Sequence, residues 1–215
     1  MKLCIVNGSP RGKISNTSKI IKWMFKDKND ISIYYTALYD DHSQLVEQIK
    51  HYDTYLIIFP LYTDAMPYAV KALFEQLERQ KASFKGKSVY FIIHSGFPEA
   101  RQSRPVEDYS RYFAELIRMN CVSTAVKGHS EGFRFLPEIF MRKTIKDFSK
   151  LGRCVLEGTA FDAECLKRLA YPEKLSGRQL SRYEKKGCGT MYWNMLLKKN
   201  KAYKNRFAVP FLDKK

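Results

Sequence analysis

Leu3-Cys4-Ile5-Val6-Asn7-Gly8-Ser9-Pro10-Arg11-Gly12-Lys13-Ile14-Ser15-Asn16-Thr17 is the stretch that decides the fold of this chain. Leu3 to Val6 is a short apolar run that stops at Gly8-Ser9-Pro10, as a buried strand does on entering a loop. Beyond the loop, Ile20, Ile21, Met24 and Phe25 recur at three- and four-residue spacing, so a helix follows, with Asn16 or Thr17 placed to cap it. Strand, polar loop and helix in succession open a βαβ crossover. The loop has neither the GxGxxG of a dinucleotide-binding turn nor the GK[ST] of a nucleotide P-loop. It offers instead the hydroxyls of Ser9, Ser15, Thr17 and Ser18, the Asn16 amide and the Arg11 guanidinium. At a helix N-terminus, free backbone N–H groups and the helix dipole favour a phosphate, and a guanidinium adds a charge-assisted hydrogen bond.

The same alternation continues down the chain. Ile31 to Thr36 reads as a second strand, Thr54 to Pro60 as a third, Lys87 to His94 as a fourth and Cys121 to Val126 as a shorter fifth. The third is nearly all apolar, which marks a central strand covered on both faces. Helical patterns separate them: Gln44 to Tyr52, a segment from Pro67 with Ala69, Val70, Leu73, Phe74 and Leu77 inward, and Pro105 to Met119. A long last helix spans Glu138 to Leu156 and carries Ile139, Phe140, Ile145, Phe148 and Leu151. The fold class is α/β, a doubly wound five-stranded parallel sheet of order 2-1-3-4-5.

Ligands of such sheets bind beyond the carboxyl ends of the strands. Two further loops leave there. In Pro60-Leu61-Tyr62-Thr63-Asp64-Ala65-Met66-Pro67-Tyr68, two prolines restrict the backbone into a shelf, with Tyr62 and the amides of residues 61 to 63 turned to a flat aromatic ligand. In His94-Ser95-Gly96-Phe97-Pro98-Glu99, Gly96 permits close approach of a planar ring. His94 reads as a hydrogen-bonded structural residue at a strand end. No Ser/His/Asp or paired-carboxylate constellation stands out, so no side chain is assigned a catalytic role. No CxxC occurs, and no metal site is expected.

Composition adds a compartment and an appendage. The chain has 215 residues and a net charge of +16, much of it late: from Leu166 onward, fourteen Lys/Arg face three Asp/Glu, a net of +11. Tyr171, Tyr183, Tyr192, Trp193, Tyr203 and Phe207 are interleaved there. Residues 1–160 read as the α/β domain and 161–215 as a basic, aromatic C-terminal appendage packed on that domain or on a partner subunit. The five cysteines (Cys4, Cys121, Cys154, Cys165, Cys188) are odd in number and scattered, which points to a reducing compartment, the cytoplasm. The apolar opening is too short for a signal peptide, and the run Tyr55 to Tyr62 is far below the roughly 20 residues that span a bilayer.

Three groups of residues carry a family resemblance over roughly residues 1 to 130: Gly8-Ser9-Pro10-Arg11 with Ser15-Asn16-Thr17; Pro60-Leu61-Tyr62 leading to Met66-Pro67 and Val70-Lys71; and Ser95-Gly96-Phe97-Pro98-Glu99. On them the chain resembles the flavodoxin-like NAD(P)H-dependent FMN and quinone reductase family. The resemblance implies a non-covalent FMN whose phosphate sits on Ser9, Arg11, Ser15, Asn16 and Thr17. Its isoalloxazine would lie between Pro60, Leu61, Tyr62 and Thr63 on one side and Ser95, Gly96 and Phe97 on the other. It implies a homodimer and an oxidoreductase passing electrons from NAD(P)H through FMN to a small acceptor: a quinone, a nitroaromatic, free flavin or a metal ion. The alternative is a flavin-binding redox-sensing or docking protein whose basic tail contacts nucleic acid or an anionic membrane, a contact that is not favoured.

Overall fold

Apolar runs and amphipathic segments assemble into one parallel sheet covered on both faces. The computed structural model describes residues 2–208, apart from 27, 29 and 185–187. The strands are β1 (Leu3–Asn7), β2 (Ser32–Tyr35), β3 (Thr54–Pro60), β4 (Ser88–His94) and β5 (Asn120–Lys127). They pair in parallel in the order β2-β1-β3-β4-β5, as the sequence predicts. β1 and β3 are buried along their whole lengths, which explains why they carry continuous apolar runs and no alternation.

Successive strand side chains face opposite ways and build two cores. Cys4, Val6, Tyr55, Ile57, Phe59, Val89, Phe91 and Ile93 pack against the face covered by α2 (His42–Ile49), α3 (Tyr68–Arg79) and α4 (Arg104–Leu116). Phe74 of α3 and Phe113 of α4 stack there, with centroids 4.1 Å apart and planes at 12°. Ile5, Leu56, Ile58, Tyr90 and Ile92 pack on the other face against α1 (Asn16–Met24), α5 (Arg142–Glu157) and α6 (Ala163–Leu169). α1 and α5 cross closely: a Cβ at Gly152 would lie 2.2 Å from the Met24 carbonyl oxygen. Gly158, at φ 71°, ends α5 in the left-handed conformation that glycine adopts without penalty.

Several boundaries differ from those read in the sequence, each for a local reason. α1 is capped by Ser15, whose Oγ accepts the Ser18 N–H at 3.1 Å, so Asn16 and Thr17 are already helical. α2 begins at His42 because Asp41 caps it, accepting the Ser43 N–H at 2.8 Å. The long last helix begins at Arg142. Glu138–Met141 forms a separate 3-10 turn in which Met141 points inward and Ile139 and Phe140 are exposed. Glu138 is held there by Trp23 Nε1, which donates to Glu138 Oε1 at 2.9 Å.

The chain forms two compact units, Met1–Lys174 and Leu175–Lys215. The sequence reading starts the appendage at residue 161, whereas Phe161, Cys165 and Leu169 are buried in the α1/α5 core, with the Phe161 ring 5.2 Å from that of Tyr90. The second unit contains α7 (Gly177–Glu184), α8 (Cys188–Lys199) and a 3-10 turn at Tyr203–Asn205. Within it the Arg206 guanidinium lies 4.2 Å from the Tyr203 ring centroid and 4.7 Å from that of Phe207. Gly187 and the side chains of Tyr183, Cys188 and Tyr192 lie outside the described residues. Among the described residues, no helix is long and apolar enough to cross a membrane.

Candidate functional site

The sheet order makes β1, β3 and β4 neighbours, so the three loops singled out in the sequence leave its carboxyl edge side by side. Gly8 sets the first. A Cβ there would come within 2.4 Å of Val70 Cγ2 and 2.8 Å of Phe59 Cβ, so only glycine lets β1 end this close to β3 and α3. The loop then bonds to itself. The Ser9 N–H donates to Asn7 Oδ1 at 3.0 Å, Gly12 N–H to Ser9 O at 3.0 Å, and Ser15 Oγ to Gly12 O at 2.7 Å. Gly12 turns the chain at φ 55°. Ser9 and Ser15 are buried, while Arg11, Lys13 and Ile14 are exposed. Below them the first turn of α1 leaves its amides, those of Asn16 and Thr17 among them, without intrahelical acceptors.

Thr17 and Asn16 face inward and are tied to strand ends far away in sequence. Thr17 Oγ1 lies 2.8 Å from His94 Nε2, and His94 Nδ1 lies 2.9 Å from Ser130 Oγ. Ser130 Oγ also reaches the Ser95 carbonyl at 2.9 Å. A carbonyl only accepts, so the single Ser130 hydroxyl proton goes to Ser95 O. Ser130 therefore accepts from His94 Nδ1–H, and Nε2 accepts from Thr17. Burial pulls the His94 pKa down to about 3, leaving a neutral imidazole that braces the loop. Asn16 Nδ2 donates to Ser130 O at 2.8 Å, which fixes the amide's orientation. Its Oδ1 is buried with no partner, and so is the Ser95 hydroxyl.

The second loop is tighter than the sequence implies. Tyr62 and Ala65 exchange both backbone hydrogen bonds, at 2.9 and 3.1 Å, around Thr63 and Asp64, which sit at φ 49° and 62°. Two non-glycine residues in the left-handed region are a strained feature of the kind found at binding loops. The Leu61 amide donates to the His94 carbonyl at 2.7 Å and the Tyr62 amide to Ala65, so of the three amides expected to face a ligand two are spent inside the protein. Pro60 and Leu61 are buried, and Thr63 and the Tyr62 ring are exposed.

In the third loop, Ser95 is buried, Gly96 exposed and Phe97 half-buried. A Cβ at Gly96 would lie 3.6 Å from Glu131 Cβ, an ordinary contact, so internal packing does not require glycine there. A fourth loop, Gly128-His129-Ser130-Glu131, completes the edge and was missed in the sequence reading. Its signal was a Gly-His-Ser string directly after a strand, the same signal that marked the others. Gly128 is needed, because a Cβ would sit 3.0 Å from Phe97 O, and the His129 N–H donates to that same oxygen at 2.8 Å. Lys127, buried at the end of β5 beside His94 in register, has its pKa lowered to about 8 by burial, against the opposing pull of Asp147. Among the described residues, no cluster of three or more His, Cys, Asp or Glu side chains is placed to hold a metal ion.

The edge thus combines a preformed turn at a helix N-terminus, a cationic rim, an exposed aromatic over a rigid shelf and two buried polar atoms without partners. The family model described as flavodoxin-like fold matches residues 1–134. No curated protein matches the chain. Among solved structures, it is similar to an NADPH-quinone reductase from P. pentosaceus, at 16% identity and a TM-score of 0.55, covering 71% of this chain and 98% of that one. It is also similar to an FMN-dependent NADH-azoreductase from Bacillus anthracis in complex with FMN, at 15% identity and a TM-score of 0.53, with 71% and 98% covered. A third is general stress protein 14 from Treponema denticola in complex with FMN, at 15% identity and a TM-score of 0.55, with 72% and 99% covered. With more than half of its length matched by one family model and the strand order of that fold, this chain belongs to the flavodoxin-like fold family.

Proposed function

We propose that the first unit binds FMN across the carboxyl edge of β1, β3 and β4 and serves as an NAD(P)H-dependent oxidoreductase for a small acceptor. The observation that carries this is the pair of buried, unpartnered polar atoms at that edge, Asn16 Oδ1 and Ser95 Oγ. A buried polar atom without a partner is costly, so two at one edge point to a ligand that completes them. Asn16 Oδ1 only accepts, so a phosphate does not satisfy it, whereas a ribityl hydroxyl does. Ser95 Oγ both donates and accepts, which suits the mixed donor and acceptor edge of a flavin ring. In this reading Ser9, Arg11, Ser15, Asn16 and Thr17 hold the phosphate, Asn16 and Thr17 through their backbone amides. The ring lies between Pro60, Leu61, Tyr62 and Thr63 and the loop of Ser95, Gly96 and Phe97.

The chemistry FMN supplies when bound is hydride acceptance from a nicotinamide and reduction of a second molecule. The protein's part is to bind, orient and keep water out. With His94 neutral, buried and doubly hydrogen-bonded, it holds the loop and is not available as a base. A quinone, nitroaromatic, azo compound, free flavin or metal ion fits the role of acceptor, and the structural likeness to a quinone reductase and an azoreductase supports the first and third of these classes. We infer a homodimer through α4, where Tyr109, Tyr112 and Leu116 lie exposed along one face. We also infer the cytoplasm as its compartment, where the free thiols Cys4, Cys121, Cys154 and Cys165 stay reduced.

The test is spectroscopic. Purified protein should carry or take up FMN, shown by the flavin absorption bands, and anaerobic NADH or NADPH should bleach them. Protein that gives no heat of binding with excess FMN would sink the proposal.

A further inference from the structure

Between β5 and α5 the chain runs Arg134-Phe135-Leu136-Pro137-Glu138-Ile139-Phe140-Met141-Arg142-Lys143. Met141 is buried, yet Phe135 is 40% exposed, Leu136 50%, Ile139 58% and Phe140 76%. This is not loose chain. Lys19 Nζ donates to Phe133 O at 2.6 Å, Trp23 Nε1 to Glu138 Oε1 at 2.9 Å, and the Phe133 ring packs edge-on against Trp23 at 4.9 Å. Within the segment the Leu136 N–H donates to Gly132 O at 3.0 Å and the Phe140 N–H to Pro137 O at 3.1 Å. With Phe133 and Met141 anchored in the core, the apolar side chains between them are held out in water as a ridge. Exposed apolar patches of this kind mark interaction surfaces.

The charge around the ridge indicates what covers it. Glu138 is turned to Trp23, and Glu131 pairs with Arg134 at 3.7 Å. Arg142 and Lys143 follow directly, exposed and without an ion pair among the described residues. We propose that this ridge docks the protein on an anionic lipid bilayer. Leu136, Ile139 and Phe140 sink into the interface, and Arg142 and Lys143 lie at the headgroups. A second copy of the chain is the poorer occupant: a two-fold contact through this ridge sets Arg142 and Lys143 against their own copies, and like charges repel. Nucleic acid is poorer too, because Leu136 and Ile139 have no face on which a base stacks. The net charge of +16 adds long-range attraction to an anionic surface.

Co-sedimentation of the full chain with vesicles tests this, comparing phosphatidylglycerol/phosphatidylcholine mixtures with phosphatidylcholine alone at low and high salt. The protein should partition to the anionic vesicles, and less so at high salt. Ile139→Glu/Phe140→Glu should lower partition at least about tenfold, the loss expected from one buried apolar side chain. Arg142→Ala and Lys143→Ala should each lower it about fivefold. These side chains are exposed, so circular dichroism should report an unchanged fold. The basic second unit is the same in every variant, so partition indifferent to these substitutions overturns the proposal. So does light scattering that shows a dimer lost on Ile139→Glu/Phe140→Glu. FMN uptake is measured on the same samples and reports separately on the catalytic edge.

Discussion

His94 makes the stability of this fold depend on pH in a way that can be worked out and isolated. The ring is 3% exposed and wedged between Thr17 and Ser130. Burial lowers its folded-state pKa from 6.5 to about 3. Between those values the unfolded chain binds a proton that the folded chain refuses. The stability contributed by the neutral ring is therefore complete above about pH 6.5 and is lost as pH falls toward 3. At about 1.4 kcal/mol for each unit, the loss between pH 7 and pH 5 is about 2 kcal/mol. His42 and His129 are also depressed by burial and act in the same direction. The informative quantity is thus the difference between wild type and His94→Gln. Urea denaturation of both at pH 7 and pH 5 should show the wild type losing about 2 kcal/mol more than the variant. Equal losses would refute the reasoning, as would an NMR titration of His94 in the folded protein centred near its ordinary value. The same spectra should report the Nδ1–H tautomer that the Ser130 geometry requires.

Three further outcomes follow from packing and charge. Gly152→Ala, which in an ordinary helix interior stabilises by about 1 kcal/mol, should here lower the melting temperature, because the new methyl meets the Met24 carbonyl at 2.2 Å and α1 must move away from α5. Glu107 is 2% exposed and accepts from Arg104 at 2.6 Å, Arg111 at 2.8 Å and Thr124 at 2.5 Å. Glu107→Ala should cost about 2–3 kcal/mol in denaturant unfolding, whereas Glu75→Ala, at an exposed pair with Lys71, should leave the denaturation midpoint nearly unchanged. Arg11→Ala should leave the melting temperature unchanged and weaken FMN binding about tenfold by fluorescence titration, because the guanidinium is exposed and braces nothing in the loop.

Much of the fold was legible because it is written locally. Continuous apolar runs at β1 and β3 announce strands covered on both faces, and the strand-helix alternation with right-handed crossovers leaves few ways to order five parallel strands. The loop after β1 was legible as an anion cradle from residue chemistry alone, since a helix N-terminus presents its amides wherever the helix packs. The reading failed where a periodic pattern was cut by a tertiary contact. Phe140 falls near the buried face of α5 by spacing, but the hydrogen bond from Trp23 to Glu138 holds the chain in a 3-10 turn and delays the helix to Arg142. Phe161, at the start of what reads as a basic tail packed on the domain, lays its ring beside Tyr90.

Sequence by itself determined the alternation of strands and helices, the loops that follow the strands and the donor groups of the first of them, because each follows from residues within one turn or one strand of each other. Tertiary structure alone decided which of those groups remain available. Asn16 meets Ser130 across 114 residues and Thr17 meets His94 across 77, and these bonds turn one hydroxyl inward and leave one amide oxygen and the Ser95 hydroxyl without partners. The physical reason is that a hydrogen-bonding group has a fixed capacity, and how much of it is already used depends on neighbours that only the folded chain brings within 3 Å.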